Sequence, residues 1–272
     1  MSQKVIVTHP SFIKCDAAPS NALREAGYEL SVVREGSEEE YMAHMARALP
    51  EAVGVILGLQ RISAPMMDMA PRLRAIARFG VGTDNVDLKA ATERGIIVTN
   101  TPGANATAVA ELALGLMLDV ARRISLTDRR MRAGQWRGFA GWELSGKTLG
   151  VVGAGAIGRR MVALAKGFDM KVLAAVRRPD LVRAEEREWA DANSVSIVDL
   201  PTLLRDSDFV SIHAPLTAHT RGLIGAAELA MMKPRAVLVN TSRGGIVDED
   251  ALASALSGGI IGGAALDVFE SE

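Results

Sequence analysis

Short apolar runs and helical stretches alternate twice along this chain, with a different kind of element between the two series. In the first series KVIVTH (residues 4–9), ELSVV (29–33), AVGVILG (52–58), LRAIARFG (73–80) and GIIVTN (95–100) read as strands, separated by helical stretches such as 20–26 and 38–49. The runs are continuously apolar, the pattern of parallel strands covered on both faces. From 108 to 120 the residues Val109, Leu112, Ala113, Leu116, Met117 and Val120 recur at helical spacing. This element follows NTPGAN and predicts a connector that opens a second domain. The alternation then resumes with TLGVVG (148–153), KVLAAV (171–176), SVSIV (194–198), DFVSIHAP (208–215), AVLVNTS (236–242) and GGAALDVF (262–269). Six strands with intervening helices suit a doubly wound sheet.

Composition narrows the field. A chain of 272 residues predicts roughly two domains. A net charge of −1 supplies no bulk pull toward nucleic acid or an anionic membrane, and 4% aromatics argue against base-stacking platforms. The stretch 122–142 carries six arginines and reads either as a basic patch or as a solvated or subunit-contacting arm; Asp128 and apolar residues interrupt it. Cys15 is the single cysteine, so a disulfide framework and a cysteine-based metal site are both excluded, and a reducing, cytoplasmic compartment is expected. MSQKVIVTH is not a signal peptide, and the apolar helix 108–121 is short and carries Glu111 and Asp119. No nucleic-acid or membrane partner is expected, and no metal.

The strongest local signal is GAGAIG (153–158), which follows one strand, opens a helix and leads to a second strand. Gly153 permits the tight turn, Gly155 lets backbone approach a pyrophosphate, and Gly158 lets the helix pack closely on the strand. Ala156 and Ile157 would offer their N–H groups at the positive end of the helix dipole. The alternative is a glycine turn that binds nothing. At the end of the next strand Val176 stands where a ribose-binding acid would be, and Arg177 and Arg178 follow, while Asp180 lies past the strand. Two guanidiniums can hold a 2′-phosphate, so the pattern favours NADP, with NAD possible; the alternative is two solvated arginines.

VGTDNVDL (81–88), NTPGANATAVAELALGLMLDVARR (100–123), GKTLGVVGAGAIGRR (146–160), HAPLTAHTRGLI (213–224), MKPRAVLVNTSRGGIVDEDAL (232–252) and GGAALDVFESE (262–272) run through nearly the whole chain in one order. In that series the chain resembles the D-isomer-specific 2-hydroxyacid dehydrogenases. The resemblance implies an α/β protein of two doubly wound parallel-sheet domains. Residues 1–99 would form a flavodoxin-like substrate domain without its C-terminal return segment, and 100–272 a Rossmann cofactor domain without its last strand. It implies that Arg243 binds the substrate carboxylate and polarises the carbonyl, as a planar and permanently charged group can. Val81 and Gly82 would cradle the carboxylate with backbone amides. Asp267 would face the nicotinamide carboxamide; Thr107 and Thr241 would lie at the cofactor, and Ala214, Pro215 and Thr220 beside its adenosine half. Val81 and Gly82 could instead be only a turn, and Asp267 only a strand-end carboxylate.

Glu272 matches the family's catalytic glutamate, which pairs with a histidine and raises its pKa so that it can exchange a proton with the substrate oxygen. The resemblance puts that histidine beyond Glu272, so the 272 residues are expected to be C-terminally truncated and to lack it. His9, at the end of the first strand, has a cleft position; His44 reads as surface; His213 and His219 belong to the HAPLTAHT loop. The expected reaction is hydride transfer between NADP(H) and a small 2-keto or 2-hydroxy acid such as glyoxylate or hydroxypyruvate, by a homodimer joined through 106–142. Alternatives are a phosphoglycerate dehydrogenase-like enzyme, for which Arg61 alone follows the third strand, a formate or phosphite enzyme, and a non-catalytic dinucleotide-binding scaffold.

Overall fold

In the computed structural model, residues 3–9, 11–14, 16–33, 36–176 and 182–271 are described. They divide into two compact units, 1–105 and 106–272, so NTPGAN groups with the first unit.

The first unit holds five parallel strands, β1 (Gln3–Val7), β2 (Tyr28–Val32), β3 (Ala52–Leu57), β4 (Ala75–Arg78) and β5 (Ile97–Thr99), in the order β2-β1-β3-β4-β5. That is the flavodoxin-like arrangement, with its reversal of strand order between β1 and β3. Successive side chains leave the sheet on opposite faces. Ile6 therefore packs with Met45, Leu49, Ile62 and Ile76 on one side, while Val5 and Val7 pack with Ile56, Phe12 and Leu23 on the other. Two buried faces are why the central strands β1 and β3 read as apolar runs, while β2 and β5 at the edges are only partly covered. The helix Glu38–Ala48 starts on a capping box, Ser37 accepting from the Glu40 N–H at 3.2 Å and Glu40 from the Ser37 N–H at 2.8 Å.

The second unit opens with the helix Ala106–Arg122, whose buried stripe Ala110, Ala113, Met117 and Ala121 is made of small or flexible residues. Arg123 then takes a left-handed conformation (φ 55°), and the helix Ile124–Arg132 follows. The guanidiniums of Arg123 and Arg130 lie over the Phe139 ring, 5.9 and 4.4 Å from its centroid, and Arg132 pairs with Asp128. Part of the arginine-rich arm is thus engaged locally. Six parallel strands come next: β6 (Thr148–Val152), β7 (Lys171–Ala175), β8 (Val195–Val198), β9 (Phe209–Ile212), β10 (Val237–Asn240) and β11 (Gly263–Leu266). Their order, β11-β10-β9-β6-β7-β8, is that of the Rossmann sheet, reversing between β6 and β9. Leu149, Val151 and Phe209 pack under the long helix, and Val152, Val210 and Ile212 fill the opposite face. Among the described residues no helix is long and apolar enough to cross a membrane.

Candidate active site

Strand register builds the site of the second unit. Leu266, Asn240, Ile212, Val152 and Ala175 are aligned partners across five strands. One residue further on stand Asp267, Thr241, His213, Gly153 and Val176, a row along the carboxyl edge where open α/β sheets bind ligands. Most of the predicted cofactor positions fall on this row or the turn beside it.

The three glycines of the turn have three different surroundings. Gly153 has φ +101°, and a Cβ there would stand 2.8 Å from the His213 carbonyl oxygen. It is glycine because the turn presses against the chain leaving β9, at the reversal of strand order. On Gly158 a Cβ would come within 2.1 Å of the Gly153 carbonyl oxygen, so the helix Ala156–Lys166 lies directly on the turn. Gly155 is unlike both. Its φ of −72° is ordinary and a Cβ would meet nothing within 4 Å. No group among the described residues requires a glycine there, and the space is available to a ligand. The helix it starts has no side-chain cap, whereas Asp87, Asp199 and Asp248 each cap a helix. Ala156 and Ile157 form its first turn, so the positive end of an eleven-residue helix is left for an anion.

Two polar atoms on the row are buried without a hydrogen-bond partner, His213 Nδ1 and Thr241 Oγ1. His213 Nε2 lies 2.9 Å from the Ser211 hydroxyl, and burial pushes the imidazole pKa down to about 4, which keeps the ring neutral. Orphaned groups of this kind beside a glycine turn and an open helix end fit a dinucleotide, which offers donors and acceptors along its length. Ala214 continues from His213. The Thr220 hydroxyl donates to the Pro215 carbonyl at 2.6 Å and accepts from the Thr217 N–H at 2.8 Å, so it shapes this loop. Thr107 is exposed in the first turn of Ala106–Arg122. Val176 follows β7 and donates its N–H to Val198, leaving no carboxylate at that position. Arg177, Arg178, Asp180, Glu272 and Cys15 lie outside the described residues.

Arg243 is half-buried and donates to the Ser242 carbonyl at 2.7 Å. The residue that places it was not legible in the sequence. Asn240, 2% exposed, donates from Nδ2 to the Arg243 carbonyl at 2.9 Å and accepts at Oδ1 from the Ser242 N–H and hydroxyl. Its main-chain carbonyl accepts the Asp267 N–H at 3.0 Å. One side chain and its own peptide thus tie the Arg243 loop to the strand end that carries Asp267. Gly244 lets residues 269 and 270 cross against it, since a Cβ would fall 1.9 Å from the Phe269 carbonyl oxygen. Arg221 pairs with Glu270 at 3.2 Å beside it.

In the first unit the loop after β4 carries Val81 and Gly82. Their carbonyls are occupied: Val81 accepts from Asn100 Nδ2 at 2.7 Å and Gly82 from Arg78 Nε at 2.9 Å. Their N–H groups donate to nothing among the described residues. Arg78, only 8% exposed, also donates to the Phe79 carbonyl and lies under Gly80, whose φ is +150°. A Cβ on Gly80 would stand 2.6 Å from Arg78 Nη1. A buried guanidinium thus holds the Phe79 and Gly82 carbonyls and Asn100 holds that of Val81, so the N–H groups of Val81 and Gly82 are what the loop has left to offer a carboxylate. Arg78 and Asn100 escaped the sequence reading, although an arginine inside the apolar run LRAIARFG was the available signal. Of the other histidines, His44 is half-buried against the Ser31 hydroxyl at 3.0 Å, its pKa lowered chiefly by burial, and His219 is exposed. Among the described residues no three His, Cys, Asp or Glu side chains gather as a metal site would require.

Comparison with known proteins gives the family. The profile of the NAD-binding domain of the D-isomer-specific 2-hydroxyacid dehydrogenases matches residues 114–272. A glyoxylate reductase of Thermococcus litoralis is 47% identical over 229 residues, which cover 80% of this chain and 67% of that protein. A D-3-phosphoglycerate dehydrogenase of Archaeoglobus fulgidus is 41% identical over 253 residues, and there the chain spans 92% of its own length but 46% of the relative's. Among solved structures, the TT0316 protein of Thermus thermophilus superimposes with a TM-score of 0.86 at 38% identity, over 99% of this chain and 83% of that one. The chain belongs to the D-isomer-specific 2-hydroxyacid dehydrogenase family, and its second unit is that family's nicotinamide-dinucleotide-binding domain.

Proposed function

We propose that the chain is an NADP-preferring reductase of a small 2-keto acid such as glyoxylate or hydroxypyruvate. The observation that carries the substrate class is the pair of N–H groups of Val81 and Gly82, left open while Arg78 and Asn100 hold the carbonyls of the same loop. Paired amides donate to both oxygens of a carboxylate, favour an anion over a neutral acceptor and repel a cationic end group. Arg243 is assigned the keto oxygen: its guanidinium stabilises the negative charge that develops there and is charged at every working pH. When bound, the nicotinamide supplies the hydride. Asp267 would fix its carboxamide, Thr241 and Thr107 its nicotinamide half, and the Gly155 turn its pyrophosphate. The proton for the product oxygen is assigned to a histidine paired with Glu272, as the family resemblance implies. His213 does not fit that role, because a ring held neutral down to about pH 4 carries no proton to give at neutrality.

Val176 in place of an acid, followed by Arg177 and Arg178, supports the NADP preference. Titrating the intact chain with NADPH and NADH tests it by energy transfer from tryptophan to nicotinamide. NADPH is expected to bind more tightly, and Arg177→Ser with Arg178→Ser to erase the difference; tighter NADH binding in the unaltered protein would overturn the assignment. The reading also takes the protein as a cytoplasmic homodimer. Leu112, Ile124, Met131 and Trp136, all exposed and all between 106 and 142, support self-association, and sedimentation velocity of a Trp136→Ser, Ile124→Ser variant tests it.

A further inference from the structure

The carboxyl edge of the first sheet has a second polar feature that the carboxylate cradle does not use. Val7, Ile56 and Ala77 are aligned partners across β1, β3 and β4, and two residues beyond them stand His9, Gly58 and Phe79. Their side chains share one face of the edge, at the reversal between β1 and β3 where sheets of this order take their ligands. The His9 and Phe79 rings are 5.2 Å apart. Gly58 clears the space between the loops: a Cβ there would be 3.0 Å from the Gln60 Oε1 atom and 3.0 Å from the His9 Cβ and Cδ2. Gln60 and His9 therefore converge on one small volume.

Three buried polar atoms in this cluster have no hydrogen-bond partner, His9 Nδ1, Gln60 Oε1 and Asn85 Oδ1. The three segments that carry them are tied together by other bonds. Asn85 Nδ2 donates to the Gly58 and Gln60 carbonyls, both at 2.8 Å, and the Thr8 hydroxyl accepts the Gly58 N–H at 2.8 Å. The unpaired atoms are thus held in place rather than left over by a loose loop, and each costs stability unless something pairs with it.

We propose that His9, Gln60 and Asn85 form a hydroxyl-recognition subsite that selects 2-keto and 2-hydroxy acids with a hydroxyl on C3. The inference rests on the reductase reading of the same unit. Two amide oxygens accept, and an imidazole nitrogen donates or accepts according to its tautomer, which matches one hydroxyl that does both. Among the described residues no cation is hydrogen-bonded to these three atoms: Arg61 is exposed and lines a cavity of about 570 Å³ with Thr8, Tyr41 and Gln60. Two amide oxygens that can only accept would oppose the oxygens of a phosphate, so the substituent assigned here is a neutral hydroxyl. An acid with hydrogen or methyl on C3 would leave the buried atoms unpaired, and sites built to bond a hydroxyl reject such analogues strongly.

The test is a calorimetric titration of the intact chain saturated with NADPH, using D-glycerate, D-lactate and 3-phospho-D-glycerate. A hydroxy acid beside reduced cofactor cannot turn over, because both partners are already reduced. D-glycerate is expected to bind about tenfold more tightly than D-lactate, the size of one such hydrogen bond. Gln60→Leu should remove that tenfold and leave D-lactate unchanged, with His9→Phe as a second variant of the same prediction. Equal binding of D-glycerate and D-lactate in the unaltered chain would overturn the subsite and leave the reductase reading standing. So would tightest binding by 3-phospho-D-glycerate, or a Gln60→Leu loss shared equally by both acids. Binding of NADPH with no binding of any acid would overturn the reductase reading itself, and the subsite with it.

Discussion

The two carboxyl edges of this molecule solve one problem, presenting backbone amides to an anion, by opposite means. In the second unit the amides are bare because side chains are missing: Gly153, Gly155 and Gly158 strip the turn, and the helix above it has no cap. In the first unit side chains are present instead: Arg78 and Asn100 occupy the carbonyls of the loop, and the N–H groups of Val81 and Gly82 donate to nothing among the described residues. The first device depends on close backbone contact and the second on buried charge. They should fail differently.

The largest effect is expected within the second edge. Gly158→Ala places a methyl 2.1 Å from a backbone oxygen that cannot move without the whole turn. It should exceed the ordinary overpacking cost of about 1–3 kcal/mol and lower the melting temperature of the second unit by roughly 10 °C. A variant with unchanged melting would show that the helix does not rest on the turn. Next comes His213. Burial holds its pKa at about 4 against an ordinary 6.5, so the neutral ring is favoured in the fold. The associated stability is complete above about pH 6.5. It is lost as pH falls toward 4, because the unfolded chain takes up a proton that the folded one refuses. The loss over that window is about 3 kcal/mol, and His213→Gln should flatten the pH dependence of urea unfolding.

On the first edge, Arg78→Met leaves the Phe79 and Gly82 carbonyls without their charged donor. A cost of about 2–3 kcal/mol in urea unfolding is expected, together with loss of carboxylate binding. If carboxylate affinity survives, the loop does not need the guanidinium to present its amides. Gly155→Ala sharpens the contrast from the other side. The space is open, so melting should not change, while cofactor affinity should fall about tenfold as the methyl enters the volume assigned to the pyrophosphate. A loss of stability instead would mean that the glycine serves the fold.

This asymmetry also explains what could be read in advance. Continuous apolar runs marked the central strands of both sheets because both of their faces are buried, and GAGAIG was legible because its signal is an absence of side chains at fixed spacing. Arg78, Asn85 and Asn240 were not legible. Each acts by reaching a carbonyl that only the fold brings near, as Asn85 does across to Gly58. Their types, an arginine in an apolar strand and asparagines near strand ends, suit many turns. The limits of the helices also shifted, the connector running from Ala106 to Arg122, because caps and packing decide ends more than periodicity does.

Asn240 provides the smallest and most discriminating prediction. Its side chain holds the Arg243 loop, and its main-chain carbonyl holds Asp267, so a side-chain substitution separates the two. Asn240→Asp keeps an acceptor for the Ser242 N–H and hydroxyl but cannot donate to the Arg243 carbonyl. The lost bond is worth about 1 kcal/mol, or roughly fivefold in an equilibrium. If Asn240 positions the arginine, that factor should appear in the affinity for a keto-acid analogue such as oxamate, with cofactor affinity unchanged because Asp267 is still tethered. Asn240→Ala, which also frees Ser242, should weaken oxamate further in the same direction. Equal losses for oxamate and cofactor would instead make Asn240 a general brace of the sheet edge, and the edge would then behave as one rigid piece like the glycine turn beside it.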